Sequence, residues 1–190
     1  YYNKPTQEGR RRHFSPVADA VSHPLILYNV PGRTGVDLKP PTVAQLAAHP
    51  NIHGIKEATG ELERVTVLRE ECGAGFALLS GDDATCCEFM LRGGHGVISV
   101  TANVAPAGVP RLCDAARAGR RAEAERIDAD LRELHRTLFL ESNPIPVKWA
   151  VEQMGLIGNG IRLPLTPFAA EHHAAVRAAM TQAGVPLSAS

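Results

Sequence analysis

An α/β fold, a partial TIM (βα)8 barrel of about four βα units followed by a three-helix C-terminal extension, is predicted by three features of the sequence. Four strand-length apolar runs rich in β-branched residues alternate with amphipathic helical stretches. The runs are nearly continuous in apolar character, as parallel strands covered on both faces are. Beyond Gly119 the alternation gives way to helical periodicity alone.

The elements follow in order. A helix over about residues 7–21 precedes the first run, Leu25 to Val30. A helix from Pro41 to His49 opens with proline near its first turn and places Val43, Leu46 and Ala47 on one face. The second run is His53 to Ala58, followed by a helix from Glu61 to Cys72 that carries Leu62, Val65 and Leu68 and stops at Gly73. Phe76 to Ser80 is the third run. Its helix, Asp83 to Arg92, has Asp82 or Asp83 as N-cap and Gly93 as stop. Gly96 to Val100 is the fourth, followed by a helix from Val109 to Ala118. Strands alternating with helices imply a parallel sheet joined by right-handed crossovers. The extension contains a long helix over 120–140 with Ile127, Leu131, Leu134 and Leu138, a second from about Pro146 to Met154, and a third from Pro167 to Ala183 capped by Thr166. The expected organisation is therefore residues 1–118 as the partial barrel and 119–190 as the helical extension.

A full barrel takes about 250 residues, and four parallel strands do not close one. Their open edges and apolar inner face are an association hazard. The chain opens Tyr-Tyr-Asn-Lys-Pro without an initiating Met and reads as the middle of a fold. The remaining strands are expected upstream or from another chain.

Composition excludes several classes. The chain has 190 residues, 21% charged and 44% hydrophobic, with 20 basic residues against 20 acidic. A nucleic-acid partner needs a larger basic surface than the Arg10-Arg11-Arg12 triplet. No apolar stretch is long enough to span a membrane, and no signal peptide is visible. Cys72, Cys86, Cys87 and Cys113 lack the spacing of a zinc site or redox motif, so packing or surface thiols in a reducing cytoplasm are expected.

In a barrel, chemistry sits at the C-terminal ends of the strands. The second strand contains Lys56, in a protein with 4 Lys against 16 Arg. Lys56 and Glu57 must face opposite ways. If Lys56 points inward, desolvation favours its neutral amine, the form that attacks a carbonyl to make a Schiff base. A structural lysine paired to a carboxylate is the equal alternative. Tyr28, near the end of the first strand, is either a proton relay or a core tyrosine with one satisfied hydroxyl. Arg33 lies in the Pro31-Gly32-Arg33-Thr34-Gly35 loop, where its fork could hold a carboxylate or simply face solvent. Asp82 and Asp83 suit helix capping better than metal binding. Gly93-Gly94-His95-Gly96 precedes a strand and is not a dinucleotide loop. His172 and His173 point different ways on a helix, which does not suit a metal.

Six segments together resemble the dihydrodipicolinate synthases. They are Tyr-Tyr-Asn-Lys-Pro-Thr-Gln-Glu-Gly, Tyr-Asn-Val-Pro-Gly-Arg-Thr-Gly, Gly-Ile-Lys-Glu-Ala-Thr-Gly, Leu-Ser-Gly-Asp-Asp, Gly-Gly-His-Gly-Val-Ile-Ser-Val-Thr-Ala-Asn and Asn-Pro-Ile-Pro-Val-Lys. The resemblance covers essentially the whole chain and corresponds to the C-terminal two-thirds of the family. It implies a pyruvate-dependent class I aldolase that condenses pyruvate with L-aspartate semialdehyde in lysine and diaminopimelate biosynthesis, with no cofactor and no metal. Lys56 would form the Schiff base and Tyr28 would relay protons. Tyr2 would complete the relay in a neighbouring subunit. Arg33 would hold the aldehyde substrate's carboxylate, Gly81 and Ile98 would line the pyruvate pocket, and Tyr1 would belong to an allosteric lysine site. A cytoplasmic homo-oligomer, dimer or tetramer, is expected.

The family's upstream barrel strands and a threonine pair that binds the pyruvate carboxylate would precede Tyr1, so this chain alone is expected to be inactive. A non-catalytic half-barrel used in assembly is one alternative. Another is a different pyruvate lyase, such as N-acetylneuraminate lyase or a keto-deoxy sugar acid aldolase, which shares Lys56 and Tyr28. Arg33 favours aspartate semialdehyde over sugar acids.

Overall fold

The computed structural model describes residues 2–188. It divides into two compact units, Tyr1–Ile98 and Ser99–Ser190.

The first unit is a four-stranded parallel sheet with helices on one face. Helix α1 (Gln7–Ala20) starts at Thr6, whose hydroxyl accepts from the Gly9 N–H, so an orphan donor of the first turn is satisfied. Strands β1 (Leu25–Asn29), β2 (Ile52–Glu57), β3 (Ala77–Ser80) and β4 (Gly96–Val97) lie in the order β1-β2-β3-β4. All neighbours are parallel, as the alternation with helices requires.

Between the strands run α2 (Pro31–Thr34), α3 (Pro40–Ala47), α4 (Glu63–Cys72) and α5 (Cys86–Leu91). Leu27, Ile55 and Leu78 point to the helix side and pack with Val43, Leu46, Val65, Leu68 and Phe89 in one core. Side chains alternate across the sheet, so the opposite face carries Ile26, Tyr28 and Lys56. Ile26 and Tyr28 are 43% and 50% exposed. The near-continuous apolar strands suggested cover on both faces; among the described residues one face is open, because four strands do not wrap around to enclose it.

Three local differences from expectation are found in this unit. The Pro-Gly-Arg-Thr loop is one helical turn, α2, with proline at its start and Gly35 closing it at φ 69° through an N–H bond to the Pro31 carbonyl. The helix expected from Asp83 begins as a 3-10 turn, Asp83–Thr85. There Asp82 is the cap and accepts from both the N–H and the hydroxyl of Thr85 at 3.0 and 2.6 Å. The fourth strand ends at Val97 rather than Val100.

The second unit is helical. It contains α6 (Gly108–Arg117), α7 (Arg121–Thr137), α8 (Ile145–Gln153) and α9 (His173–Gln182). Its core includes Leu112, Ile127, Leu131, Leu134 and Met180, at helical spacing along each element. The expected start of the last helix at Pro167 is not observed. The Ala169 N–H donates to Glu141 at 2.8 Å and Phe168 is buried. These tertiary contacts hold the segment extended until a 3-10 turn at Ala170–His172 leads into α9. His173 stacks on the single tryptophan, Trp149, with ring centroids 4.2 Å apart.

Candidate active site

The parallel register aligns Tyr28 with Lys56, Lys56 with Leu79, and Leu79 with Gly96. This row lies on the open face. Lys56 is partly buried, and its Nζ sits 4.3 Å from the centroid of the Tyr28 ring. Glu57 is buried on the opposite face, as the strand period demands. Lys56 makes no ion pair among the described residues, so a lysine held in place by a carboxylate is not what the sheet presents.

Gly81 borders the lysine directly. A Cβ built there would meet Ala58 Cβ at 2.6 Å and Lys56 Cε and Cγ at 3.0 and 3.1 Å. A side chain would occupy the volume that the lysine stem now fills. The Gly81 N–H donates to the Glu57 carbonyl at 2.7 Å, fixing this approach. Ile98 is 48% exposed, and its N–H donates to the Ser80 carbonyl at 2.9 Å, extending the ladder one residue past β4.

Arg33 is exposed on α2, after the end of β1. Tyr2 is 89% exposed, ahead of α1. Tyr1 lies outside the described residues. The geometry thus brings Lys56, Tyr28 and Gly81 together.

Beneath this row lies a second one that sequence reasoning missed. Asn29, Glu57 and Ser80 occupy the next register position and are all buried on the helix side. The Asn29 amide donates to both Glu57 oxygens at 3.2 and 3.0 Å and to Asp37 at 2.9 Å, while its carbonyl oxygen accepts from the Leu38 N–H. Arg64 clamps Asp37 through two bonds of 2.8 and 2.7 Å and lies 3.7 Å from Glu57. The Arg64 guanidinium, with the Asn29 amide, holds the Asp37 carboxyl below the usual carboxylate range against the opposing effect of burial. These bonds pin the ends of β1 and β2, and so hold the neighbouring Tyr28 and Lys56. The sequence signal was a polar residue directly after each open-face residue: Tyr-Asn, Lys-Glu and Leu-Ser.

The chemistry available is that of a primary amine on an open face, flanked by an aromatic ring with a hydroxyl and a glycine that leaves space. Such an amine can form an imine with a small carbonyl compound. The Cys72 thiol is not a competing nucleophile, since burial pushes it up to about 11.

Residues 1–183 match the model of the dihydrodipicolinate synthetase family. A 4-hydroxy-tetrahydrodipicolinate synthase of Methylococcus capsulatus is 65% identical over 185 residues, covering 97% of this chain and 64% of its own length. That of Cellvibrio japonicus is 59% identical with the same coverage. Among solved structures, the chloride-inhibited dihydrodipicolinate synthase of Acinetobacter baumannii, complexed with pyruvate, superposes with a TM-score of 0.95. It is 52% identical over 98% of this chain and 64% of that one. The enzyme of Aquifex aeolicus gives the same TM-score at 40% identity. The chain spans about 64% of the length of these curated relatives, and its sheet is a portion of their barrel.

Proposed function

The chain belongs to the dihydrodipicolinate synthetase family, and on that premise we propose that it carries the Schiff-base portion of a 4-hydroxy-tetrahydrodipicolinate synthase, a lyase of lysine and diaminopimelate biosynthesis. The observation that carries this reading is the placement of Lys56 on the open face, against the Tyr28 ring and over Gly81.

The unprotonated amine of Lys56 adds to the keto carbon of pyruvate. Proton uptake and loss of water give a protonated imine, which withdraws electrons from the adjacent methyl group. A methyl proton departs to leave an enamine, and the enamine carbon bonds to the aldehyde carbon of L-aspartate semialdehyde, whose oxygen takes up a proton. Attack by the substrate's own amine on the imine carbon then closes the ring and releases Lys56. Tyr28 relays these protons. Tyr2, strongly exposed, serves the relay of a neighbouring subunit. Arg33 holds the carboxylate of the semialdehyde, and Gly81 and Ile98 line the pyruvate pocket. Tyr1 contributes to a lysine-binding regulatory site. Residues 1–118 carry the chemistry and 119–190 the helical extension of a cytoplasmic homo-oligomer. No metal or organic cofactor enters this scheme. Turnover in this reading draws on the part of the enzyme beyond these 190 residues.

Incubation with pyruvate and borohydride, followed by intact mass and peptide mapping, tests the proposal. One reduced pyruvate on Lys56, absent from Lys56→Ala, is expected. An adduct that persists in the Lys56 variant refutes it.

The exposed Ile26 and Ile98 on the sheet face favour a second reading, a non-catalytic half-barrel used in assembly. A monodisperse homodimer that never forms the adduct would support that reading instead.

A further inference from the structure

A buried carboxylate stands where the strand ends around Lys56 meet. Glu57 is 3% exposed. Its Oε1 accepts from the Asn29 amide at 3.2 Å and from the Thr59 N–H at 2.9 Å. Its Oε2 accepts from the Asn29 amide at 3.0 Å, with Arg64 3.7 Å away. Its backbone carbonyl accepts from the Gly81 N–H at 2.7 Å. Burying a carboxylate is costly, and an apolar side chain of similar size would fill the same volume without that cost. What apolar packing lacks is direction, whereas hydrogen bonds fix both distance and angle. Here they run to Asn29, which follows Tyr28 on β1, and to Gly81, which borders the Lys56 stem. Glu57 itself follows Lys56 on β2. The groups that frame the amine are thus each tied to Glu57 directly or through the adjacent residue.

We propose that Glu57 is a positioning residue: from the opposite face of the sheet it holds the Lys56 amine at its 4.3 Å separation from the centre of the Tyr28 ring. The inference rests on the reading of Lys56 as the imine-forming amine. Glu57 faces away from that amine and acts through the strand ends. A displacement of about 1 Å at a reacting group can cost about a hundredfold in rate.

The test uses the 190-residue chain reductively methylated with carbon-13 formaldehyde, which labels Lys4, Lys39, Lys56 and Lys148. The methyl resonance of Lys56, identified by its absence from Lys56→Arg, should lie upfield of the other lysines because its amine sits over the Tyr28 ring. Tyr28→Leu should remove that displacement. Glu57→Gln sets an amide N–H against the Asn29 amide, donor facing donor, and should return the Lys56 resonance most of the way to the others. Leu46→Ala, in the helix-side core, is the control. It should lower the urea midpoint and leave the resonance in place, as a merely structural loss does. On unmethylated samples, borohydride trapping at saturating pyruvate should slow about tenfold or more in Glu57→Gln, with the half-saturating pyruvate concentration changed less. Where Glu57→Gln does not fold, Asn29→Ser deletes both amide bonds to the carboxylate and gives the same readout. A folded Glu57→Gln or Asn29→Ser chain that keeps the displaced resonance overturns the assignment. So does a parent chain whose Lys56 resonates with the other lysines. A parent chain that traps no pyruvate, yet loses its displaced resonance in Glu57→Gln, supports the positioning role and counts against the Schiff-base reading, which tells the two apart.

Discussion

A methyl group at Gly81 would press on Ala58 Cβ at 2.6 Å and on the Lys56 stem at 3.0 Å. Backbone and Ala58 yield little, whereas the lysine chain can rotate away, so the lysine is what moves. Gly81→Ala should therefore slow pyruvate trapping at Lys56 about tenfold or more, while costing about 1–3 kcal/mol of stability as an overpacked site does. Single-turnover borohydride trapping and urea unfolding on the same samples measure both effects. An unchanged trapping rate would show that the lysine does not depend on this glycine. Arg33 calls for the opposite pattern. It is exposed on α2, so in the full-length enzyme Arg33→Ala should raise the KM for aspartate semialdehyde about tenfold or more, the loss expected for a charged hydrogen bond. Adduct formation with pyruvate should remain intact. Steady-state kinetics with each substrate varied separate the two.

At the level of elements, the ends of β1 and β2 are joined by Asn29, Glu57, Asp37 and Arg64. Arg64→Met removes both bonds to Asp37 and leaves the buried Glu57 without its nearest cation. Breaking a fully buried pair costs about 3–5 kcal/mol. Asp37 is partly exposed, so solvent screening lowers the expectation to about 2–3 kcal/mol. The folded carboxyl of Asp37 is held below its unfolded value near 3.9. Its contribution is thus fully present above that value and lost as pH falls through the lower folded value. Urea midpoints measured downward from about pH 5 should fall for the parent chain and fall less for Arg64→Met, the gap between them closing in acid. These elements also show what the sequence could reveal. The strands, the helices behind them and the opposite facing of Lys56 and Glu57 follow from periods of two and 3.6 residues, which are local. The Asn29–Asp37–Arg64 clamp joins residues up to 35 apart in sequence, and no short-range pattern encodes it. The same cause explains the last helix. Thr166 and Pro167 form a good local start signal, but the distant Glu141 carboxylate takes the Ala169 N–H and delays the helix to His173. Lys56 was legible because lysine is rare here and sits inside an apolar strand. The burial of Arg10 is not legible in the Arg10-Arg11-Arg12 triplet, because it depends on which side of α1 meets the rest of the unit.

At the largest scale, that of the first unit, the open sheet is the dominant physical fact among the described residues. Strands β1 and β4 are edges among the described residues, and the face between them exposes Ile26, Tyr28 and Ile98. An apolar face beside unpaired backbone donors and acceptors favours covering by further protein. Apolar area removed from water gains about 25 cal/mol per Å², so covering even a few such side chains offsets part of the entropy lost on association. The chain should therefore self-associate with increasing concentration. Ile26→Glu should oppose this specifically, because residue 26 projects from the edge strand β1 onto the open face and does not belong to the helix-side core. Sedimentation velocity across a concentration series should show larger species for the parent chain and a shift toward monomer for Ile26→Glu, with far-ultraviolet circular dichroism unchanged. A parent chain that remains monomeric at about 100 μM, a concentration at which even micromolar affinity gives extensive pairing, would mean that the open face is stable in water as it stands. The exposed isoleucines would then carry no drive to assemble, and the half-barrel assembly reading would fall with them.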